Sequence, residues 1–269
     1  MTTLLDALTR IVKIAAREEL LPRFAESERR FKRDGSIVTD ADIAMQRRLV
    51  GELEALAPDY RLLGEEMSEQ DQGELILAGD RGLWCLDPLD GTSNFASGIP
   101  FFSVSLGLLI DRQPTLGVVY DPIRDECFTA AKGKGAKLND QPLRCRPVGL
   151  PLRRSMAVVD FKRIPELAAA LAASPPYSSQ RNFGSVALEW CWLAANRFQV
   201  YLHGRQKLWD YAAGALILTE AGGCAETLEG KPIFAPALQS RSAVAATDAN
   251  LFAEWQAWLA NARASSDPR

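Results

Sequence analysis

Asp87 and Asp90 close the apolar run Leu83-Trp84-Cys85-Leu86, and Gly91-Thr92-Ser93 follows at once. A strand that surfaces there leaves two carboxylates beside a tight turn with free backbone N–H groups. Carboxylates attract a hard cation and free N–H groups attract an anion such as phosphate, so one loop offers both halves of a metal-assisted phosphate site. Glu65 after Leu62-Leu63-Gly64 and Asp210 beside Trp209 also sit at the ends of apolar segments, and Asp42 in Val38-Thr39-Asp40-Ala41-Asp42 is a further candidate. Like charges held together are costly unless a divalent ion neutralises them. Oxygen-only ligands suit Mg²⁺, Mn²⁺ or Ca²⁺ rather than zinc or copper. Two or three such ions would clamp a phosphate, lower the pKa of a bound water and stabilise the leaving oxygen. Taken singly, Asp210 also suits a helix cap and Asp42 a surface position. Glu66 reads as a supporting or solvated neighbour of Glu65.

Spacing separates this chemistry from other routes to phosphate transfer. An aspartyl nucleophile needs two aspartates with one residue between them, and Asp87 and Asp90 have two. Cys191 and Arg197 have the spacing of a cysteine phosphatase, but the intervening residues lack glycine and belong to an apolar helical run. His203 is the sole histidine and has no phosphate loop around it. No GxxxxGK motif is present, and Gly133-Lys134-Gly135-Ala136 reads as a turn. Metal-activated water is the mechanism that survives.

The elements that must position these groups follow from periodicity. Leu4, Leu5, Leu8, Ile11, Val12 and Ala15 recur at helical spacing up to Pro22. Residues 26–36 are charged and read as a mobile loop. Thr39 or Asp40 caps a second helix that ends at Pro58. A short strand at 61–63, a polar stretch at 67–81 and strands at 83–86, 103–110, 116–120 and 127–131 follow. Beyond Pro147 strands and helices alternate: strand 156–159, helix 165–173, loop 174–179, helix 186–195, strand 199–202, helix 209–221, strand 243–246 and helix 251–259. Mixed sheets layered with helices are the natural packing for this order. The expected division is an N-terminal half, 1–150, with most of the candidate ligands, and a C-terminal half, 151–269, with Asp210. No flexible linker marks the boundary, so the two form one compact unit.

The chain has 269 residues, 47% apolar and 24% charged, the balance of a globular enzyme. A net charge of −3 gives no global attraction to nucleic acid or anionic membrane, and the arginines between 144 and 154 read as a solvated face. Five scattered cysteines without CxxC spacing fit reduced thiols, and hence a cytoplasmic protein. Asp6, Arg10, Lys13 and Arg17 interrupt the apolar residues of the N-terminus, which reads as an amphipathic helix rather than a signal peptide, and nothing approaches spanning length.

Gly64-Glu65-Glu66, Asp87-Pro88-Leu89-Asp90-Gly91-Thr92-Ser93-Asn94-Phe95 and Trp209-Asp210-Tyr211-Ala212-Ala213-Gly214 resemble, in order and separation, the three metal-site motifs of the inositol monophosphatase family. Val38-Thr39-Asp40-Ala41-Asp42 upstream and Glu220-Ala221-Gly222-Gly223 downstream extend the match to nearly the whole chain. The resemblance implies an αβαβα sandwich of the inositol monophosphatase and fructose-1,6-bisphosphatase type, a homodimer, and Mg²⁺-dependent, lithium-sensitive hydrolysis of small phosphate monoesters. It further implies that Glu65, Asp87 and the Leu89 carbonyl hold one ion and that Asp87, Asp90 and Asp210 hold a second. A third would bind weakly near Glu65. Thr92, with Asp42 behind it, would orient the attacking water, and the Gly91 and Thr92 N–H groups would bind phosphate.

On the alcohol side the candidates are Asp90, Gly184, Ser185, Val186, His203 and Asp210. Many inositol-preferring members carry glutamate where this chain has His203, and an imidazole offers one donor and one acceptor instead of acceptors alone. Arg205 and Lys207 nearby would make the mouth basic and suit a second phosphate or an acidic substrate. Lys32 and Arg33 are placed on a loop over the metals, and Lys162 or Arg163 reaches in from the second half. A bisphosphate nucleotidase, a fructose-1,6-bisphosphatase and a histidinol-phosphate phosphatase share these motifs. A transcription-complex accessory protein is the non-enzymatic alternative.

Overall fold

The computed structural model describes residues 3–32, 35–78, 81–147 and 149–266. In its first half, α1 (Leu4–Glu19) is followed by a small antiparallel ladder of β1 (Arg30–Phe31) and β2 (Ile37–Val38), then by α2 (Asp40–Leu56). Next come β3 (Arg61–Gly64), α3 (Glu69–Ala78), β4 (Leu83–Asp90), α4 (Thr92–Ala96), β5 (Ser103–Ile110), β6 (Gln113–Asp121), β7 (Glu126–Ala131), β8 (Ala136–Leu138) and β9 (Gln141–Leu143). Strands β3 to β9 lie side by side in chain order as one seven-stranded sheet, parallel at β3–β4 and antiparallel elsewhere. The second half supplies β10 (Met156–Val159), α5 (Pro165–Ala173), β11 (Ser179–Arg181), α6 (Val186–Ala194), β12 (Val200–Gln206), α7 (Leu208–Glu220), β13 (Cys224–Glu226), β14 (Arg241–Ala246) and α8 (Ala249–Ser266). Its strands form a five-stranded sheet in the order β11-β10-β12-β14-β13.

Alternation along the strands separates the apolar residues into layers. Trp84, Leu86, Val104, Leu106 and Leu108 pack with Leu8, Val12 and Leu49 of the α1–α2 pair. Leu83 and Cys85 face the opposite way, into a core shared with α6, α7 and one face of the second sheet. The other face of that sheet packs on α5 and α8. The layers therefore run helix, sheet, helix, sheet, helix, the αβαβα order the motifs implied. Each core holds a fully buried tryptophan, Trp84, Trp190 and Trp255 respectively, and truncating any one to alanine would cost about 3–5 kcal/mol.

Helix α7 lies unusually close to the seven-stranded sheet because two strand positions facing it have no side chain. A Cβ on Gly117 would stand 3.0 Å from the Ala213 carbonyl oxygen, and one on Gly107 would stand 3.5 Å from the Ala213-adjacent Ala212 Cβ.

Several elements differ from the periodicity reading. The polar stretch after Glu66 contains α3: Ser68 accepts the Asp71 N–H, and Gln72 inside the helix donates to the Gly64 and Glu65 carbonyls, so local capping replaces an apolar stripe. The charged loop at 26–36 contains β1, and β11 and β13 are short edge strands that alternation does not reveal. Helix α8 runs well beyond residue 259.

Candidate active site

Asp87 pairs with Ser105 and Asp90 with Ser103, so β4 takes three steps where β5 takes two. In a regular strand residues three apart point to opposite faces, and the extra residue of this bulge corrects that. Leu89 turns into the α1–α2 core while Asp90 comes round to meet α6 on the opposite face. The carboxylates do not surface as the sequence suggested. All of β4 is buried, with Asp87 and Asp90 only 2% and 7% exposed.

Each remaining candidate is set by a helix start. Asp90 accepts the Ser185 hydroxyl at 2.6 Å and the Val186 and Ala187 N–H groups at 3.1 and 2.7 Å, which pins the first turn of α6 to β4. Just before it, the Phe183 and Gly184 N–H groups donate to buried Glu189. Asp210 accepts the Lys207 N–H at 2.8 Å and caps α7. Asp42 caps α2 by accepting both the N–H and the hydroxyl of Thr39, at 2.7 and 2.6 Å, and it is buried rather than superficial. Its other oxygen lies 3.0 Å from the Thr92 hydroxyl, which also reaches the Leu89 carbonyl at 2.9 Å. Gly91 precedes α4 at φ +94°, and a Cβ there would sit 3.1 Å from the Phe101 carbonyl oxygen. Left-handed backbone in so tight a space calls for glycine. The Gly91 and Thr92 N–H groups donate to no other described group. Helices α2, α4, α6 and α7 thus all begin here, and their positive ends favour acidic side chains and anions alike.

Glu65 follows β3, its N–H bonded to the Leu86 carbonyl. Its carboxylate takes the Lys32 ammonium at 2.9 Å, and Lys32 also reaches Glu66 at 2.7 Å. Burial opposes charge on Lys32, but the two glutamates outweigh it and hold the ammonium well above its ordinary range. Burial, then Glu65, Asp90 and Asp210, pushes Asp87 well up. Burial, then Asp90 and Glu65, does the same to Asp210. Asp90 is pushed up to about 6 by burial against the pull of its α6 donors. Asp42 also rises to about 6 and Glu66 to about 7, with burial the main cause in both.

This is the electrostatic signature of a site short of positive charge, and its donors are carboxylate and carbonyl oxygens, the set a hard divalent cation prefers. Among the described residues no three acidic, histidine or cysteine side chains converge into a ready-made coordination shell. Glu65 is turned to Lys32 and Asp90 to α6. A separate cleft of about 590 Å³, lined by Gln46, Val50, Tyr60, Met67 and Trp84 among others, includes none of these carboxylates.

On the substrate side the structure brings Gly184, Ser185 and Val186 to Asp90 but withdraws His203. The imidazole is buried, accepts the Arg205 N–H at Nδ1 (3.3 Å) and faces Asp160 through Nε2 (3.3 Å), so neither nitrogen is left for a ligand. Arg33 lies outside the described residues. Two participants escaped the sequence reading, Glu189 and Asp160. Asp160 directly follows the apolar strand β10 as Asp87 extends an apolar run in β4, and Glu189 interrupts the apolar run of α6. A lone acid in either setting was the available signal.

The family model described as "Inositol monophosphatase family" matches residues 1–266. The chain belongs to the inositol monophosphatase family. Inositol monophosphatase 1 of Solanum lycopersicum is 38% identical over 200 residues, which span 70% of each chain. The Nus factor SuhB of Pasteurella multocida is 35% identical over 203 residues, 71% of this chain and 72% of that relative. The IMPase of Thermotoga maritima superposes with a TM-score of 0.83 at 27% identity, covering 98% of this chain and 99% of that one. Family members are metal-dependent phosphatases, and this family member is accordingly a phosphoric monoester hydrolase. Among the described residues no helix is long and apolar enough to cross a membrane.

Proposed function

We propose that the chain hydrolyses a small phosphate monoester, inositol monophosphate or a related polyol phosphate, with Mg²⁺ as its natural ion and two or three ions engaged. The observation that carries this reading is that the starts of α2, α6 and α7 are each held by an acid, Asp42, Asp90 and Asp210, around the Gly91-Thr92 turn that begins α4. Glu65, Asp87, Asp90, Asp210 and the Leu89 carbonyl are the groups that would hold the ions, with Glu65 exchanging the Lys32 ammonium for a metal. When bound, divalent ions supply neutralisation of the phosphate and a lowered pKa for the attacking water. The chain's own residues do the rest. The Gly91 and Thr92 N–H groups hold the phosphate oxygens at the start of α4. The Thr92 hydroxyl donates to Asp42 and keeps a lone pair to orient the water for in-line attack. Gly184, Ser185 and Val186, tied to Asp90, border the departing alcohol.

Phosphate release from a panel of monoesters, with Mg²⁺ and with or without Li⁺, tests the reading. Asp210→Asn must abolish release; wild-type turnover by that variant would overturn the assignment. Light scattering of the purified chain tests the homodimer that the resemblance implies. A second reading, a role in transcription complexes, rests on relatives that carry the name Nus factor. Full rescue of a deletion strain by Asp210→Asn would favour it over the enzyme.

A further inference from the structure

The buried pair of His203 and Asp160 has no part in metal or phosphate binding, yet it stands beside the site. Asp160 directly follows β10, its N–H bonded to the Leu202 carbonyl of neighbouring β12. The chain then makes a single turn, Phe161–Arg163, that packs directly on β12. A Cβ on Gly204 would stand 1.6 Å from the Arg163 carbonyl oxygen, so the turn and the strand touch backbone to backbone. On one side Asp160 meets Nε2 of His203; on the other it holds a guanidinium nitrogen of Arg163. With Nδ1 accepting the Arg205 N–H, the imidazole carries its proton at Nε2, which faces the Asp160 carboxylate at 3.3 Å. Burial pushes His203 below its ordinary value, which keeps it neutral near pH 7. Burial opposes charge on Asp160, but the His203 hydrogen bond and the Arg163 cation hold its carboxyl below the usual range. Arg163 is therefore clamped by an ionised, inflexible partner.

The free part of that guanidinium points to a use. Asp160 engages one terminal nitrogen, and the side chain remains 46% exposed. Arg163 packs on Gly204, and three residues further along the chain the Lys207 N–H donates to Asp210, which sets the 161–163 turn beside that carboxylate. Lys162, Arg205 and Lys207 lie exposed on the same turn and the end of the same strand, and among the described residues none has an acidic partner within ion-pair distance. Meanwhile His203 withdraws both its nitrogens from any polyol hydroxyl. The rim beside Asp210 thus offers donors and positive charge and few acceptors. A planar guanidinium with uncommitted N–H groups suits a carboxylate or phosphate far better than a hydroxyl.

Building on the hydrolase reading above, we infer that Arg163, held by Asp160 over buried His203, selects phosphate monoesters whose alcohol carries a second anionic group. Two matched pairs test this with Mg²⁺: 3-phosphoglycerate against glycerol 3-phosphate for a carboxylate, and fructose 1,6-bisphosphate against fructose 1-phosphate for a phosphate. In at least one pair the acidic member should show a kcat/KM about tenfold or more higher, with KM rising steeply in added KCl. Arg163→Gln should erase that preference through KM while leaving the neutral members within about twofold of wild type. His203 acts as a positioning residue, so His203→Gln, which keeps an N–H for Asp160, should retain the preference and His203→Glu should lose it. Calorimetric titration of the same four compounds separates this inference from the hydrolase reading. Tighter binding of an acidic member, lost in Arg163→Gln, upholds it even if no phosphate is released. Equal binding within both pairs, or a preference unmoved by Arg163→Gln, overturns it.

Discussion

Asp42→Asn should separate the stability of this protein from its activity. Asp42 is 1% exposed, and its carboxyl is pushed from the ordinary 3.8 to about 6, mainly by burial. Two units correspond to about 3 kcal/mol by which the ionised form is disfavoured in the folded chain. The folded state keeps a proton that the unfolded state has released between roughly pH 4 and pH 6. Stability from this group is therefore lost as pH rises through that window, about 1.4 kcal/mol of it between pH 5 and pH 7. Asparagine removes the penalty and keeps one oxygen for the Thr39 N–H and hydroxyl. It forfeits a charge-assisted cap worth about 1.5–3 kcal/mol, so net stability at pH 7 should change by about 1 kcal/mol or less. Catalysis should not be spared. The new amide N–H points into the Thr92 oxygen, taking the lone pair that orients water and turning the hydroxyl toward the Leu89 carbonyl. Loss of that positioning should lower kcat about 10²-fold or more. The assays are urea unfolding in EDTA at pH 5 and pH 7, and phosphate release with Mg²⁺. A variant whose stability depends on pH as steeply as wild type, or one that turns over normally, refutes the reasoning.

The spacing between α7 and the sheet gives a paired test. Gly117→Ala, with a Cβ 3.0 Å from a backbone oxygen, should cost about 1–3 kcal/mol in urea unfolding, whereas Gly107→Ala meets ordinary contact at 3.5 Å and should cost far less. Lys32→Met removes the cation that Glu65 would have to release, so the Mg²⁺ concentration giving half-maximal turnover should fall several-fold. Asp87→Asn keeps the acceptor for the Leu89 N–H and relieves a buried charge; the metal-free protein should melt no lower than wild type while turnover disappears.

The layered architecture and most of the long elements were legible because α1 buries one face and β5 and β6 turn alternate apolar residues into the same α1–α2 core, so their apolar residues recur accordingly. Helix α3 was not, since Ser68 and Gln72 hold it by polar contacts that leave no period in the apolar residues. Motif order singled out Glu65, Asp87, Asp90 and Asp210, but the turning of Asp90 onto the α6 face depends on the β4 bulge, a register event that no residue type announces. His203 shows the limit most clearly. The pattern located it at the mouth of the site, and only the packing of the 161–163 turn against Gly204 shows it facing Asp160 instead. Asp160 itself was passed over, although an acid directly after a buried strand is the same signal that singled out the opening loop.

Asp42, Asp90 and Asp210 each hold the first turn of a helix, whereas Asp87 and Glu65 hold none. The five acids are therefore under unequal restraint. In a descendant released from catalysis, replacing any of the first three by a residue without a side-chain oxygen would unfasten a helix start, while Asp87 and Glu65 could drift without loosening a helix. Decay of function in this fold should thus leave an ordered scar, with the strand acids vanishing while the helix-start acids persist. A relative that keeps only those three is a scaffold, however complete its motifs look at a glance.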